Sequence, residues 1–391
     1  MIYFGNAYDT EQTYGTPSEQ DIQFLKDYID GKTNDASTLA DIVAYDCIKP
    51  WSILAITFTN KAAGELKERL AGMLGEAGQG ITAATFHSAC ARILRRECDK
   101  LGFSSSFTIY DSDDSQRTVK SILRELGISE KMFPPRTILS EISHAKDLLQ
   151  EPDEYIASAA GDYRNLTIGK VYKHYQKKLK AANAMDFDDM ICHTVKLFEQ
   201  FPDVLDHYQN LYKYIMVDEY QDTNEVQNRI FDAISCKGEN LFTVGDVKQS
   251  IYRFRLADPR IFLQHYNTWP PLEDAQEHDS AKLLLSRNFR SRKEVLDATN
   301  FIFCNILSEE MGELDYGADE ILRLGANYVE SSACGAEFHL LDLPTQTGEQ
   351  RVRASEAEAA FVADYISNML TSEFPIQDDK TKELRPVCEE D

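Results

Sequence analysis

The sequence contains no run of about 18 or more apolar residues, so a membrane span is not expected. Its first residues, "MIYFGNAYDTEQ", lack the basic n-region and apolar core of a secretion signal. Paired cysteines are missing too. The eight present, Cys47, Cys90, Cys98, Cys192, Cys236, Cys304, Cys334 and Cys388, stand singly, without a CxxC or a Cys/His cluster. Neither a zinc site nor a disulfide framework is indicated, and a reducing cytoplasm is the expected setting. Basic charge is in short supply, with 41 Lys and Arg against 65 Asp and Glu and a formal net charge of −24. That balance excludes coating of DNA by bulk electrostatics. It leaves open a narrow groove that grips single strands by stacking and local charge.

What is present is enough apolar residue, 43% of 391, to build two or three ordinary domains. "SILAITFT" (52–59) is a continuous apolar run of the kind buried on both faces of a parallel sheet. A helix from 61 to about 74, "ITAATFH" (81–87), a helix over 88–100 and "FTIYD" (107–111) follow. Residues 113 to 201 read as helix, broken at "FPP" (133–135), "QEPDE" (150–154) and Gly161. Strands resume at "KYIMVD" (213–218) and "NLFTVGD" (240–246). A sheet interrupted by helices predicts an α/β domain, 51–111 and 187–280, carrying an inserted all-α domain, 112–186. Strands at "AKLLLS" (281–286) and "AEFHLLDL" (336–343), with helices from 292 and over 354–371, predict the start of a second α/β domain, 281–391.

One stretch carries local positive charge. Arg164, Lys170, Lys173, Lys177, Lys178 and Lys180 face a single acid, Asp162, within 161–183. The four lysines 170, 173, 177 and 180 share helical spacing, which fits a solvated face or a nucleic-acid-facing stripe.

Chemistry concentrates at strand ends. "VDEYQD" delivers Asp218 and Glu219 to the carboxyl edge of the sheet, where open α/β folds place ligands. Asp218 is suited to hold Mg²⁺, and Glu219 to orient or deprotonate a water, while Asp222 is a candidate helix cap. "VGDVKQSIYRFR" (244–255) adds Gln249, suited to sense a γ-phosphate, and Tyr252 and Phe254, on whose rings bases can stack. "LSRNFRS" (285–291) sets Arg290 beside Phe289.

Taken together these words resemble the UvrD/PcrA/Rep group of superfamily 1 DNA helicases. "AITFTNKAAGELKERL" (55–70) is similar to that family's motif Ia and "TFHSACARIL" (85–94) to motif Ib. "MDFDDM" (185–190), "IMVDEYQDTN" (215–224), "VGDVKQSIYRFRLADP" (244–259) and "LSRNFRSRKEVLDATNFIF" (285–303) follow in the family's order. Motifs III and IV look most like AddA-type recombination nucleases, whereas "PWSILAITFTNKAA" and the helical block look closer to PcrA. The resemblance implies a RecA-like P-loop NTPase sheet, an inserted all-α domain and the start of a second RecA-like domain. It implies a 3′–5′ helicase or translocase of DNA repair or recombination using ATP and Mg²⁺ on single-stranded or duplex-junction DNA. A nuclease partner subunit belongs to the same expectation. Asp218 would bind Mg²⁺, Glu219 would be the catalytic base, Gln249 would couple phosphate to DNA, Arg290 would be an arginine finger, and Phe289 would stack on adenine. Phe58, Thr59 and Asn60, with Phe86, His87, Phe187, Tyr252 and Phe254, would line the single-strand track. For Phe58 and Phe86 a place in the core is the competing reading, and for His87 an ordinary helix start.

A phosphate loop needs GxxxxGK[ST], whose glycines let backbone N–H groups wrap the phosphates. The candidate is "YIDGKTND", with Gly31, Lys32 and Thr33, and Thr33 as a metal ligand. Lys26 stands where the first glycine belongs, and Ile22, Leu25 and Ile29 precede it at helical spacing. The triplet is therefore either a degraded phosphate loop within a divergent segment, 1–50, or an Asp–Gly turn between helices. Gln20 stands in for an adenine-reading glutamine. The family's motifs V and VI find no match, so an incomplete motor is expected. The alternatives are an ATP-independent single-stranded DNA-binding module and an inactive fragment.

Overall fold

The computed structural model describes residues 18–35, 38, 39, 42, 48–235, 238–251, 257–276, 279–312, 314–329, 331, 335–343, 353–378 and 381–390. Two compact units emerge, Met1–Pro270 with Ala275–Ser280, and Pro271–Asp274 with Ala281–Asp391.

The first unit opens with α1 (Glu19–Ile29), capped by Ser18, whose hydroxyl accepts from the Asp21 amide while Asp21 accepts from the Ser18 amide. None of its residues is buried. Next come β1 (Ile53–Thr57), α2 (Asn60–Leu74), β2 (Thr82–Thr85), α3 (Phe86–Glu97) and β3 (Thr108–Ile109). The chain then leaves for four helices, α4 (Ser112–Glu125), α5 (Pro135–Asp147), α6 (Pro152–Ser158) and α7 (Tyr163–Ala181), before returning in β4 (Ala184–Met185). β4 pairs parallel with β3, so departure and return lie side by side. The helices close on their own core of Ile122, Leu123, Ile138, Ile142, Ile168, Val171 and Leu179. The unit continues through α8 (Phe187–Gln200), α9 (Pro202–Leu211), β5 (Tyr214–Val217), α10 (Glu225–Ile234), β6 (Leu241–Thr243) and α11 (Pro259–Thr268).

The central sheet is parallel, in the order β2-β1-β5-β6. Because side chains alternate along a strand, Leu54, Ile56, Ile215 and Val217 face α3 and α8 in the main core. Ile53, Ala55 and Ala83 face the other way, against Leu66, Leu70 and Leu74 of α2. Burying each large aliphatic side chain contributes ~1.5–3 kcal/mol. Beyond α2 that second face is open, with Met216 and Phe242 exposed.

In the second unit, β7 (Arg287–Asn288) and β8 (Arg323–Leu324) pair parallel on either side of α12 (Lys293–Ile306) in sequence. α13 (Ala354–Thr371) then leads to an antiparallel pair, β9 (Pro375–Gln377) and β10 (Leu384–Pro386). Two expectations are corrected here. "AKLLLS" gives one bridge, Lys282 to Pro271, rather than a strand, and Leu283 to Leu285 are exposed. Residues 336–343 form no strand, and Phe338 is 90% exposed. An apolar run becomes a strand only where neighbours take up its backbone groups in a continuous ladder, and among the described residues the single bridge at Lys282 is all that forms at these two places.

Candidate functional site

Four parallel strands end on the same edge, and their successors carry most of the residues singled out from sequence: 58–60 after β1, 86–87 after β2, 218–219 after β5, and 244–249 after β6. The Asp218 amide donates to Ile56 O, locking the acid pair to the end of β1. Asp218 is exposed, and its Oδ1 accepts from the Glu219 amide at 3.0 Å. Glu219 sits in the left-handed region at φ 55°, ψ 39°, a conformation costing a non-glycine residue ~1–3 kcal/mol and concentrated at functional sites. Burial, then the neighbouring Asp218 charge, push its carboxyl above the usual carboxylate range, while the Phe58 amide, donating to it, pulls the other way. Its Oε2 is buried and makes no hydrogen bond among the described residues. One exposed carboxylate beside one half-buried carboxylate suits a hydrated Mg²⁺, which takes one or two protein carboxylates and leaves the remaining positions to water and phosphate.

The loop behind the pair is buried and tethered. Tyr220, Gln221, Asp222, Thr223 and Asn224 are all buried. The Gln221 side chain accepts from the Asp246 amide at 3.0 Å, and its backbone carbonyl accepts from Ser250 Oγ at 3.3 Å, tying the acid loop to the loop after β6. Gly245 is required there, since a Cβ would come within 2.6 Å of Gln221 Oε1. Gln249 is exposed and donates to Asp246 Oδ2 at 2.9 Å, and Lys248 pairs with Asp246 Oδ1 at 2.8 Å. The cap of α10 is Asn224, not Asp222: its Oδ1 accepts from the Gln227 amide at 2.8 Å. Gln221, Asp246 and Asn224 carry no chemistry-bearing signature of their own in sequence; only their contacts reveal them.

On the nucleic-acid side, Phe58 is half-buried, while Thr59 and Asn60 are exposed at the start of α2, where the Thr59 hydroxyl caps the helix through the Ala62 amide. Phe86 lies in the core, edge-on to Phe231, as its competing reading had it. His87 and Phe187 meet edge-to-face at 5.7 Å at the starts of α3 and α8, and Phe187 is 48% exposed. Burial keeps the His87 imidazole below its ordinary value. Beside Phe187 opens a cavity of about 550 Å³ whose lining includes Tyr110, Ser112, Arg136 and Asp188. Tyr252 and Phe254 lie outside the described residues. On α7, Lys173 pairs with Asp153, Lys178 with Glu125, and Lys180 with Leu101 O and the Phe103 ring. That favours the solvated-face reading.

Gly31, Lys32 and Thr33 follow a helix, not a strand. Gly31 has φ +70° with open space where a Cβ would stand, so no wall closes around it. The Lys32 ammonium is held by Asp30 at 2.9 Å and Asp27 at 3.3 Å. Gln20 is exposed on α1. In the second unit, Phe289 is 68% exposed with its ring over Gly325, and the Arg290 carbonyl accepts from Tyr328 OH at 2.5 Å.

A parallel sheet that gathers an acid pair and a glutamine loop on its carboxyl edge defines the RecA-like class of α/β nucleotide-binding folds. Residues 31–270 match the model of the UvrD/REP helicase N-terminal domain, and the chain belongs to that family. It is 43% identical over 267 residues to the ATP-dependent DNA helicase PcrA of Bacillus subtilis (strain 168), covering 68% of this chain and 35% of that protein. PcrA of Staphylococcus epidermidis is 42% identical over 253 residues (65% of this chain, 34% of the relative), and that of Staphylococcus aureus 41% over 258 (66% and 34%). The matched stretch spans about a third of these relatives. No helix among the described residues is long and apolar enough to cross a membrane.

Proposed function

We propose that this chain is the nucleotide- and DNA-engaging part of an ATP-dependent 3′–5′ DNA helicase of repair or recombination, in the UvrD/PcrA manner. The carrying observation is the acid pair: a left-handed Glu219 with a buried, unbonded Oε2, beside exposed Asp218, at the carboxyl edge of β5. In this reading Asp218 holds Mg²⁺, and Glu219 orients a water and receives its proton, which its raised pKa favours. Bound Mg·ATP supplies the phosphoryl chemistry. Gln249, on the loop latched to Gln221, reports the γ-phosphate side to the nucleic-acid side. Arg290 and Phe289 keep the roles that the family resemblance implies for them, arginine finger and adenine platform. Phe58, Thr59, Asn60, His87 and Phe187 carry single-stranded DNA. A nuclease partner subunit remains part of the proposal, on the AddA-like wording of motifs III and IV.

Gly31, Lys32 and Thr33 reach phosphate only if Lys32 leaves Asp27 and Asp30. Exposed pairs of that kind are screened by solvent and hold weakly, so the exchange costs little. The missing backbone cradle costs more, and weak nucleotide affinity is expected. An ATP-independent single-strand binder is the second reading, which the family match does not favour. Titration with labelled nucleotide and DNA-stimulated phosphate release decide between them. Glu219→Gln should retain Mg·ATP binding and lower hydrolysis by ~10²–10⁴. DNA binding with no nucleotide binding selects the second reading.

A further inference from the structure

Lys146 and Asp147 are neighbours at the last turn of α5, in the helical insertion, and each reaches a different helix start in the sheet layer. Lys146 is 2% exposed and its ammonium lies 2.6 Å from Asp186 Oδ2 and 2.8 Å from Asp189 Oδ1. Those two carboxylates form the reciprocal cap of α8, Asp186 accepting from the Asp189 amide and Asp189 from the Asp186 amide. Tyr175 OH donates to the same Asp186 oxygen at 2.9 Å and is hydrogen-bonded with the Ser115 hydroxyl at 2.9 Å. The first residue of that capped helix is Phe187, the exposed ring beside His87. On the other side, Asp147 Oδ1 accepts from Asn224 Nδ2 at 3.1 Å. Asn224 caps α10 and ends the buried run that begins after Glu219, closed by bonds from Asp222 N to Glu219 O and from Thr223 N to Tyr220 O.

Each link is short and buried or half-buried, and close-packed elements of this kind move as units rather than deform gradually. Adjacent residues on one helix thus touch the start of the aromatic surface and the end of the acid loop. We propose that Lys146 and Asp147 are positioning residues that couple occupancy of the nucleic-acid surface at Phe187 to the placement of Glu219. The inference rests on the proposed function. Spatial intermediacy alone does not establish coupling, so the test must measure coupling itself.

The full-length chain is titrated with a fluorescent oligo-dT in the presence and absence of Mg²⁺ and a non-hydrolysable ATP analogue, and with the analogue in the presence and absence of oligo-dT. The unaltered chain should show a reciprocal change in affinity of ~5–150-fold. Asp147→Ala should bring that factor close to one while each binary affinity stays within about twofold and the far-UV melt is unchanged, the loss being of coupling alone. Asp147→Asn keeps an oxygen acceptor for Asn224 and should restore the factor. Asn224→Asp keeps the α10 cap but removes the Nδ2 donor, so it should behave as Asp147→Ala does and covers the case in which that variant fails to fold. An undiminished factor in Asp147→Ala or Asn224→Asp overturns the inference. So does a parallel fall in both binary affinities with an early melt, which marks a purely structural role. No nucleotide binding by the unaltered chain overturns the proposed function, and the coupling falls with it.

Discussion

The two units answer the same sequence pattern differently. Both alternate apolar runs with helical segments, yet in the first unit the runs close into a four-stranded sheet with cores on both sides. In the second, strands are two or three residues long, and Leu296 is the buried hydrophobic residue among those described. Phe301, Ile302, Phe338 and Leu340 are exposed. The lesson is that an apolar run is a demand for neighbours, and only the first unit meets it. One pair of lysines illustrates the contrast: Lys146 is enclosed by carboxylates in the first unit, whereas Lys293 of the second pairs with Asp297 at the surface.

That contrast can be broken most directly through charge. Lys146→Met strands Asp186 and Asp189 without their cation and should cost ~3–5 kcal/mol in urea unfolding. Lys293→Met should leave the midpoint unmoved. Equal effects would erase the distinction between the units. Core truncation sharpens it next: Leu54→Ala, at a side chain 1% exposed, should cost ~2–5 kcal/mol, and Phe301→Ala, at 72% exposed, no more than ~0.5 kcal/mol. A third effect is expected from titration. Burial, followed by the nearby Lys196, holds His193 down to about 3 from an ordinary value of 6.5. The folded first unit therefore keeps this imidazole neutral where the unfolded chain protonates it. Stability from this group is complete above pH ~6.5 and is lost as pH falls toward 3. His193→Phe should flatten that part of the acid limb, measured as the urea midpoint against pH.

The family, the parallel sheet and the acid pair were legible from sequence because strand, turn and motif lie within a few residues of one another. "SILAITFT" and "KYIMVD" announce β1 and β5, and the helix over 354–371 appears as α13. The cap of α10 was misplaced by two residues, at Asp222 rather than Asn224, since both residue types suit a cap and only the helix start decides. Phe86 illustrates the other limit. Its neighbours His87 and Phe187 reach the surface, while its own ring turns inward to Phe231, a choice made by helix packing.

What the sequence by itself determined is local: which runs demand burial, which residues cap, and which short words carry chemistry. The tertiary structure alone decided that Asp147 meets Asn224 across 77 positions and that Lys146 meets Asp186 across 40. It also decided that Glu219 bends into the left-handed region with one oxygen buried and, among the described residues, unbonded. Those outcomes depend on which side chains fill the space around a residue, and that space is set by elements far away along the chain.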